Sequence, residues 1–142
     1  MLTLPADFQP HFRKSPVTDP WEPLYSRRRS DGVDLLFEVR AAHCNSRGFL
    51  HGGVLASLCD NVMGLSLGAV LNSAKANIVT ITLTLDYLGS ATTGDVVVIE
   101  PRVVRAGSTI GVCDALAKSG DKVVARANAT FSVRTNSLDP ST

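Results

Sequence analysis

The chain has 142 residues, enough for one domain with a hydrophobic core. Hydrophobic residues make up 44% of it and charged residues 19%, as in soluble globular proteins. The formal net charge of +1 gives no reason to expect binding to nucleic acid or to a membrane surface. Three cysteines without a CxxC motif favour free thiols in a reducing compartment, and the first residues lack a secretory signal pattern, so cytoplasm is the expected location.

The N-terminal segment predicts little regular structure before the first strand. Residues 1–32 carry five prolines and predict a lead-in of turns or one short helix rather than a separate domain. Residues 33–41 alternate between apolar and polar side chains, which predicts a strand with one solvent-exposed face. A polar loop follows, and we expect His11 and His43 at the surface.

Residues 53–71 predict a helix that is apolar on nearly all sides. From Gly48 to Ala74 its only charged residue is Asp60. The length approaches that of a membrane span, but Asp60 and several small polar residues favour a helix buried in a soluble domain.

The second half of the chain predicts four strands. Residues 79–87 alternate strictly, 95–105 are rich in β-branched residues, and 108–134 read as a hairpin turned at SGDK. The sequence therefore predicts an α+β domain over 33–135, with one helix against a curved antiparallel sheet of about five strands, and a frayed tail over 136–142. One helix leaves part of such a sheet uncovered, which predicts self-association.

An ionised carboxylate is costly to bury, so Asp60 needs an explanation. It is a structural residue bonded to a hydroxyl or amide, a metal ligand, or a catalytic carboxylate at a cleft. The spacing to His51 and Cys59 matches no common metal motif. Gly52 and Gly53, at the start of the helix, leave backbone N–H groups that suit a developing oxyanion, or they merely form a tight turn.

Asp60 and Gly52 are about 12 Å apart along the helix axis, at about 1.5 Å per residue. One helix therefore cannot easily bring both groups to one carbonyl. Two helices that run antiparallel across a two-fold axis can.

The segment HCNSRGFLHGGVLASLCDNVMG closely resembles the signature of hotdog-fold thioesterases of the PaaI-like, phenylacetate-pathway group. Asn45, Gly52 and Asp60 match the spacing of that signature, and the resemblance extends over about residues 33–134. It implies a hotdog fold, homodimers or homotetramers, and hydrolysis of an aromatic or medium-chain acyl-CoA without a cofactor or metal.

The resemblance also implies roles for the residues near the helix. A backbone N–H at Gly52 or Gly53 polarises the thioester carbonyl, and Asp60 of the partner subunit acts as general base or as nucleophile. Asn45 positions the thioester or the attacking water.

Further residues are assigned to substrate binding by the same resemblance. Thr80 orients the water, and His51 shapes the entry to the oxyanion site or, equally, is a loop histidine bonded to backbone. Arg105, Gly107 and Ser108 form a turn that binds the CoA phosphates, although the family often has a second basic residue where Ser108 stands.

Two other functions stay open. A non-catalytic acyl-CoA-binding hotdog protein would usually carry a DNA-binding segment, for which residues 1–32 are short and proline-rich. A hotdog hydratase or dehydratase pairs a histidine and an acidic residue at a spacing that this sequence lacks.

Overall fold

The computed structural model describes residues 2–72 and 76–135. One long helix, α1 (Gly52–Leu71), lies against one antiparallel sheet with the strand order β1-β2-β3-β5-β6-β7-β4. This arrangement confirms the predicted α+β hotdog architecture. The strands are β1 (Gln9–Pro10), β2 (Tyr25–Arg29), β3 (Gly32–Glu38), β4 (Ala76–Tyr87), β5 (Val96–Ala106), β6 (Ile110–Ser119) and β7 (Lys122–Thr135), with short 3-10 helices at Asp19–Trp21 and Ala41–His43.

The sheet has seven strands where the sequence predicts about five. The two additional strands, β1 and β2, lie within the segment predicted to be a lead-in. Strand β2 has the sequence YSRRR, which shows no apolar alternation. Its arginines instead neutralise a charge on β3, since Asp34 accepts hydrogen bonds of 2.8 Å from Arg27 and 2.9 Å from Arg29. The prediction that one face of β3 is exposed to solvent is therefore wrong, since Asp34 is only 2% exposed. The predicted tail, residues 136–142, lies outside the described residues.

The core lies between α1 and the face of the sheet that contacts it. Leu58, Val62, Met63 and Leu67 of α1 are fully buried, and each such side chain contributes about 1.5–3 kcal/mol. A Cβ on Gly111 of β6 would lie 2.3 Å from the Leu67 side chain, so glycine permits this close contact.

The three cysteines are free thiols, as predicted. By length and composition α1, with a mean hydropathy of 1.7, also passes the test for a membrane span, as core helices of soluble proteins can.

Strand β4 interrupts the alternation that its sequence predicts. Thr80 pairs with Phe131 and Thr82 with Thr130, which leaves Ile81 as an extra residue in a β-bulge. Without the bulge, Thr80 and Tyr87 would point to opposite faces, because side chains alternate along a strand. With it, both side chains reach α1.

Candidate active site

Asp60 lies on α1 at the edge of an open cleft. Its Oδ1 accepts a 2.7 Å hydrogen bond from the Thr80 hydroxyl, while its Oδ2 has no hydrogen-bond partner within the described part of the chain. The cleft measures about 860 Å³ and lies between α1, the start of β4 and the N-terminal segment that contains Phe12. Asp60 is thus held by one oxygen, and the other is available to a molecule in the cleft.

The sequence predicts two free backbone N–H groups at the start of α1, those of Gly52 and Gly53, and the structure leaves one of them without a partner. His51 caps the helix, and its Nδ1 accepts a 2.9 Å hydrogen bond from the N–H of Gly53. The N–H of Gly52 has no partner in residues 2–72 or 76–135. Because Nδ1 of His51 is an acceptor, a neutral His51 ring carries its proton on Nε2. The structure therefore supports the interpretation of His51 as bonded to backbone and leaves Gly52 as the available donor.

Tyr87 contacts the N-terminal end of α1, and the sequence pattern does not indicate this contact. Its hydroxyl donates a 2.6 Å hydrogen bond to the carbonyl of Gly52. A Cβ on Gly52 would lie 3.1 Å from the Tyr87 ring, so a larger residue would displace this contact. Partial burial raises the pKa of the Tyr87 hydroxyl, which keeps it a donor at neutral pH. Recognition of the bulge at Ile81 would have been needed to place Tyr87 here.

Asn45 closes the loop that precedes α1. Its Oδ1 accepts hydrogen bonds from the backbone N–H groups of Arg47 (2.9 Å) and Phe49 (3.2 Å). These two bonds fix the amide oxygen toward the loop. The Nδ2 group is left as the part of Asn45 that can donate to a ligand.

His43 anchors the same loop from the interior, which contradicts its predicted surface position. It is fully buried, its Nδ1 accepts the Arg40 N–H at 2.9 Å, and its Nε2 lies 3.0 Å from the carbonyl oxygen of Trp21. Its own carbonyl accepts the N–H of His51 at 2.8 Å. Burial lowers the pKa of His43, so its neutral ring donates through Nε2 and accepts through Nδ1.

His11 is also buried, at 2% exposure, although a surface position was expected. Neither ring nitrogen has a partner with hydrogen-bond geometry among the described residues, and the same holds for Oδ1 of Asn61. Burial lowers the pKa of His11, while its interaction with the Asn61 side chain opposes that shift.

The predicted phosphate-binding turn lies apart from the Asp60 cleft. Arg105 is exposed near the end of β5, and the N–H of Gly107 donates to the carbonyl of Ile110 at 2.9 Å. A Cβ on Gly107 would approach that carbonyl to 2.6 Å, so the turn requires glycine. Neither Arg105, Gly107 nor Ser108 lines the cleft. The structure thus brings Asp60 and Thr80 together, groups Gly52 and Gly53 with His51, and leaves this turn separate.

Comparison with known proteins identifies the family. The model of the thioesterase superfamily matches residues 47–126, a segment that contains the start of α1, Asp60 and Thr80. The chain belongs to the thioesterase superfamily. The protein PA0474 of Pseudomonas aeruginosa, named as an esterase, is 33% identical over 132 residues, which cover 92% of this chain and 98% of that protein.

Solved structures agree with this family. A hypothetical thioesterase from Streptococcus pneumoniae, crystallised with coenzyme A, has a TM-score of 0.72 and 28% identity, over 80% of this chain and 90% of that one. The fold is also shared with a mutant of the phenylacetic acid degradation protein PaaI from Thermus thermophilus, at a TM-score of 0.74 and 22% identity, over 84% of this chain and 99% of that one. The predicted resemblance and the enzyme class, thioester hydrolase, are confirmed.

Proposed function

We propose that the thioester hydrolysed by this protein is an acyl-CoA, which is split into a free acid and CoA. The observation that carries this proposal is the Asp60 carboxylate at the cleft, bonded through Oδ1 to Thr80 and open at Oδ2. The similarity to a thioesterase crystallised with coenzyme A supports CoA as the thiol part of the substrate.

In the proposed reaction, Oδ2 of Asp60 takes a proton from water as the water oxygen attacks the thioester carbon. The N–H of Gly52 stabilises the oxyanion that forms, and the C–S bond then breaks to release the CoA thiolate, which takes up a proton. In the variant route, Oδ2 itself attacks and the resulting anhydride is hydrolysed. Thr80 orients the carboxylate, and Nδ2 of Asn45 and Nε2 of His51 are donors that position the thioester.

We propose that each site is shared between two subunits, because Asp60 and Gly52 of one helix are separated by about 12 Å. Strand β4 supports this assembly: it ends the sheet, and its Val79 and Ile81 are 55% and 53% exposed. Antiparallel pairing of two β4 strands about a two-fold axis at residue 84 would, with Ile81 bulged out of the register, set Thr80 opposite the partner's Tyr87. Since Thr80 bonds Asp60 and Tyr87 bonds Gly52, that register brings Asp60 toward the partner's helix start.

The remaining assignments complete the proposal. The acyl group is aromatic or of medium length, the CoA phosphates bind at Arg105, Gly107 and Ser108, and the assembly is a homodimer or a homotetramer in the cytoplasm. The exposed Arg105 supports the phosphate assignment, since the described residues provide it with no ion pair.

A panel of aromatic and straight-chain acyl-CoA thioesters, assayed with a thiol reagent, tests the proposal. Release of free thiol that depends on Asp60 supports hydrolysis. A change in acyl-chain unsaturation without thiol release indicates a hydratase or dehydratase, and binding without either change indicates a non-catalytic acyl-CoA-binding protein.

A further inference from the structure

The Asp60 cleft carries an excess of positive charge. Arg13, Lys14, Arg28 and Arg29 line it, and Asp60 is the only acidic lining residue in the part of the chain that the structure describes. Apolar side chains supply much of the remaining lining: Val33, Leu65, Ile78 and Phe131. The cleft therefore combines an apolar floor with a cationic wall.

Two of these cations are already neutralised. Arg29 contacts Asp34 at 2.9 Å and also pairs with Asp31, and Lys14 contacts Glu22 at 3.2 Å. Arg13 and Arg28 have no carboxylate at salt-bridge distance within residues 2–72 and 76–135. Their charge is available to an anion in the cleft.

Arg28 is held in place rather than extended freely into solvent. The carbon of its guanidinium group lies 3.8 Å from the centroid of the Phe12 ring, a cation–π contact, and Phe12 itself lines the cleft. A stacked guanidinium retains the N–H groups along its edge, which match the two oxygens of a carboxylate. Phe12 thus presents Arg28 as a partly preorganised anion site.

Arg28 lies on β2, and the contacts of its pairing partner on β3 show which level of the α1 axis it lies beside. Arg28 pairs with Val33, whose N–H donates a 3.0 Å hydrogen bond to Ser66. Ser66 is six residues beyond Asp60, which corresponds to about 9 Å along the helix. Between these levels α1 contributes Gly64, which has no side chain, to the lining of the cleft.

We propose that the Asp60 cleft selects acyl groups that end in a carboxylate, and that Arg28, assisted by Arg13, binds this carboxylate. The substrates are then half-thioesters of dicarboxylic acids, an inference that rests on the proposed acyl-CoA hydrolysis. Five C–C bonds span about 6 Å at about 1.2 Å per bond, and a charged hydrogen bond adds about 3 Å. A six-carbon diacid therefore matches the separation of about 9 Å along α1 between Asp60 and the level of Arg28.

The test compares adipoyl-CoA with hexanoyl-CoA, which have the same chain length and differ in the terminal carboxylate. We expect kcat/KM to be about 10-fold or more higher for adipoyl-CoA, as for a hydrogen bond to a charged group, and this preference to shrink as salt is added. Arg28→Gln should lower kcat/KM for adipoyl-CoA and so remove the preference, and Arg28→Glu should reverse it. Arg102→Gln, which removes an arginine paired with Asp114 outside the cleft, is the matched control and should keep the preference.

Two results would overturn the inference while the proposed function stands. One is a wild-type protein that hydrolyses hexanoyl-CoA as well as or better than adipoyl-CoA. The other is an equal loss for both substrates in Arg28→Gln with an unchanged melting temperature, which would assign Arg28 to a phosphate of CoA. Failure to hydrolyse either substrate, or any other acyl-CoA of the panel, would overturn the proposed function itself.

Discussion

The Thr80 hydroxyl donates a 2.7 Å hydrogen bond to Oδ1 of Asp60, and this contact joins β4 to the middle of α1. It distinguishes the two carboxylate oxygens of this cleft-lining residue, because Oδ1 is occupied and Oδ2 has no hydrogen-bond partner among the described residues. The bulge at Ile81 makes the contact compatible with the bond from Tyr87 to Gly52 farther along the same strand. One strand therefore positions both ends of the proposed catalytic apparatus.

Asp60→Asn should separate catalysis from stability. The amide oxygen can still accept the Thr80 bond, but the base is lost, so we expect turnover to fall by about two to four orders of magnitude. The melting temperature should stay level or rise, since a partly buried charge has been removed. Acyl-CoA hydrolysis and thermal unfolding measure the two effects, with Asp114→Asn, on β6 and outside the cleft, as control. A large loss of stability with activity lost only in proportion would instead make Asp60 a structural residue.

Thr80→Val tests the orienting hydroxyl without changing the shape of the side chain. Loss of a hydrogen bond to a charged group should lower kcat by roughly 10- to 100-fold, less than loss of the base itself. Thr80→Ser keeps the hydroxyl and should retain most of the activity. Equal kcat values in the valine and serine variants would show that the contact with Asp60 has no part in turnover.

Asn45→Asp preserves the oxygen that closes the loop and removes the Nδ2 donor. We expect a similar fall in kcat/KM, roughly 10- to 100-fold, with little change in the free energy of unfolding. Asn45→Ala removes both functions of the side chain and should also destabilise the loop. Kinetics and urea denaturation of the two variants separate these contributions, and unchanged kinetics in the aspartate variant would exclude a substrate contact by Nδ2.

The helix and five of the strands are predictable from the sequence because their side-chain periodicity reflects burial. Residues 53–71 are apolar on nearly all sides, and the last strand alternates through Ala125, Ala127 and Ala129, all of which are buried. Strand β2 is not predictable in this way, because its arginines pair with Asp34 instead of alternating with apolar residues.

The candidate site is predictable only in part. A lone carboxylate in an apolar helix and a Gly-Gly entry indicate Asp60 and Gly52 from the sequence alone. The bulge at Ile81 has no sequence signal of its own, since residues 79–87 alternate strictly, and the position of Tyr87 is not predictable for that reason. The burial of His11 and His43 depends on long-range packing of the N-terminal segment, which local periodicity does not report.

His11→Phe tests the cost of the buried, unpartnered ring. Burial lowers the pKa of His11 below its ordinary value of 6.5, so below about pH 6.5 the unfolded chain binds a proton that the folded chain does not. The free energy of unfolding should therefore decrease as the pH falls through this range. Nearby Glu22 opposes this shift, and Lys14 and Arg13 add to it.

The phenylalanine variant should lose part of this pH dependence and keep or gain stability at about pH 7.5, because two unsatisfied nitrogens are removed. Urea denaturation at about pH 5.5 and about pH 7.5 provides the comparison, with wild-type protein in the same buffers. An unchanged slope against pH would mean that His11 titrates alike in the folded and unfolded states.

The shared site is tested most directly by mixing two inactive variants. Asp60→Asn removes the base, and Gly52→Pro removes the backbone donor at a helix position that tolerates proline. Gly52→Ala, which adds the same Cβ beside Tyr87 but keeps the N–H, controls for this contact. In a hybrid dimer one site holds an intact Asp60 and an intact Gly52 from different chains, while the other holds neither.

After the two variants are unfolded and refolded together in equal amounts, half of the dimers are hybrids, each with one intact site. The account predicts recovery of about a quarter of wild-type acyl-CoA hydrolysis, with neither variant active alone. Mass spectrometry of the intact assemblies verifies that hybrids have formed. Absence of recovery in verified hybrids would place Asp60 and Gly52 of each site in one chain and contradict the account.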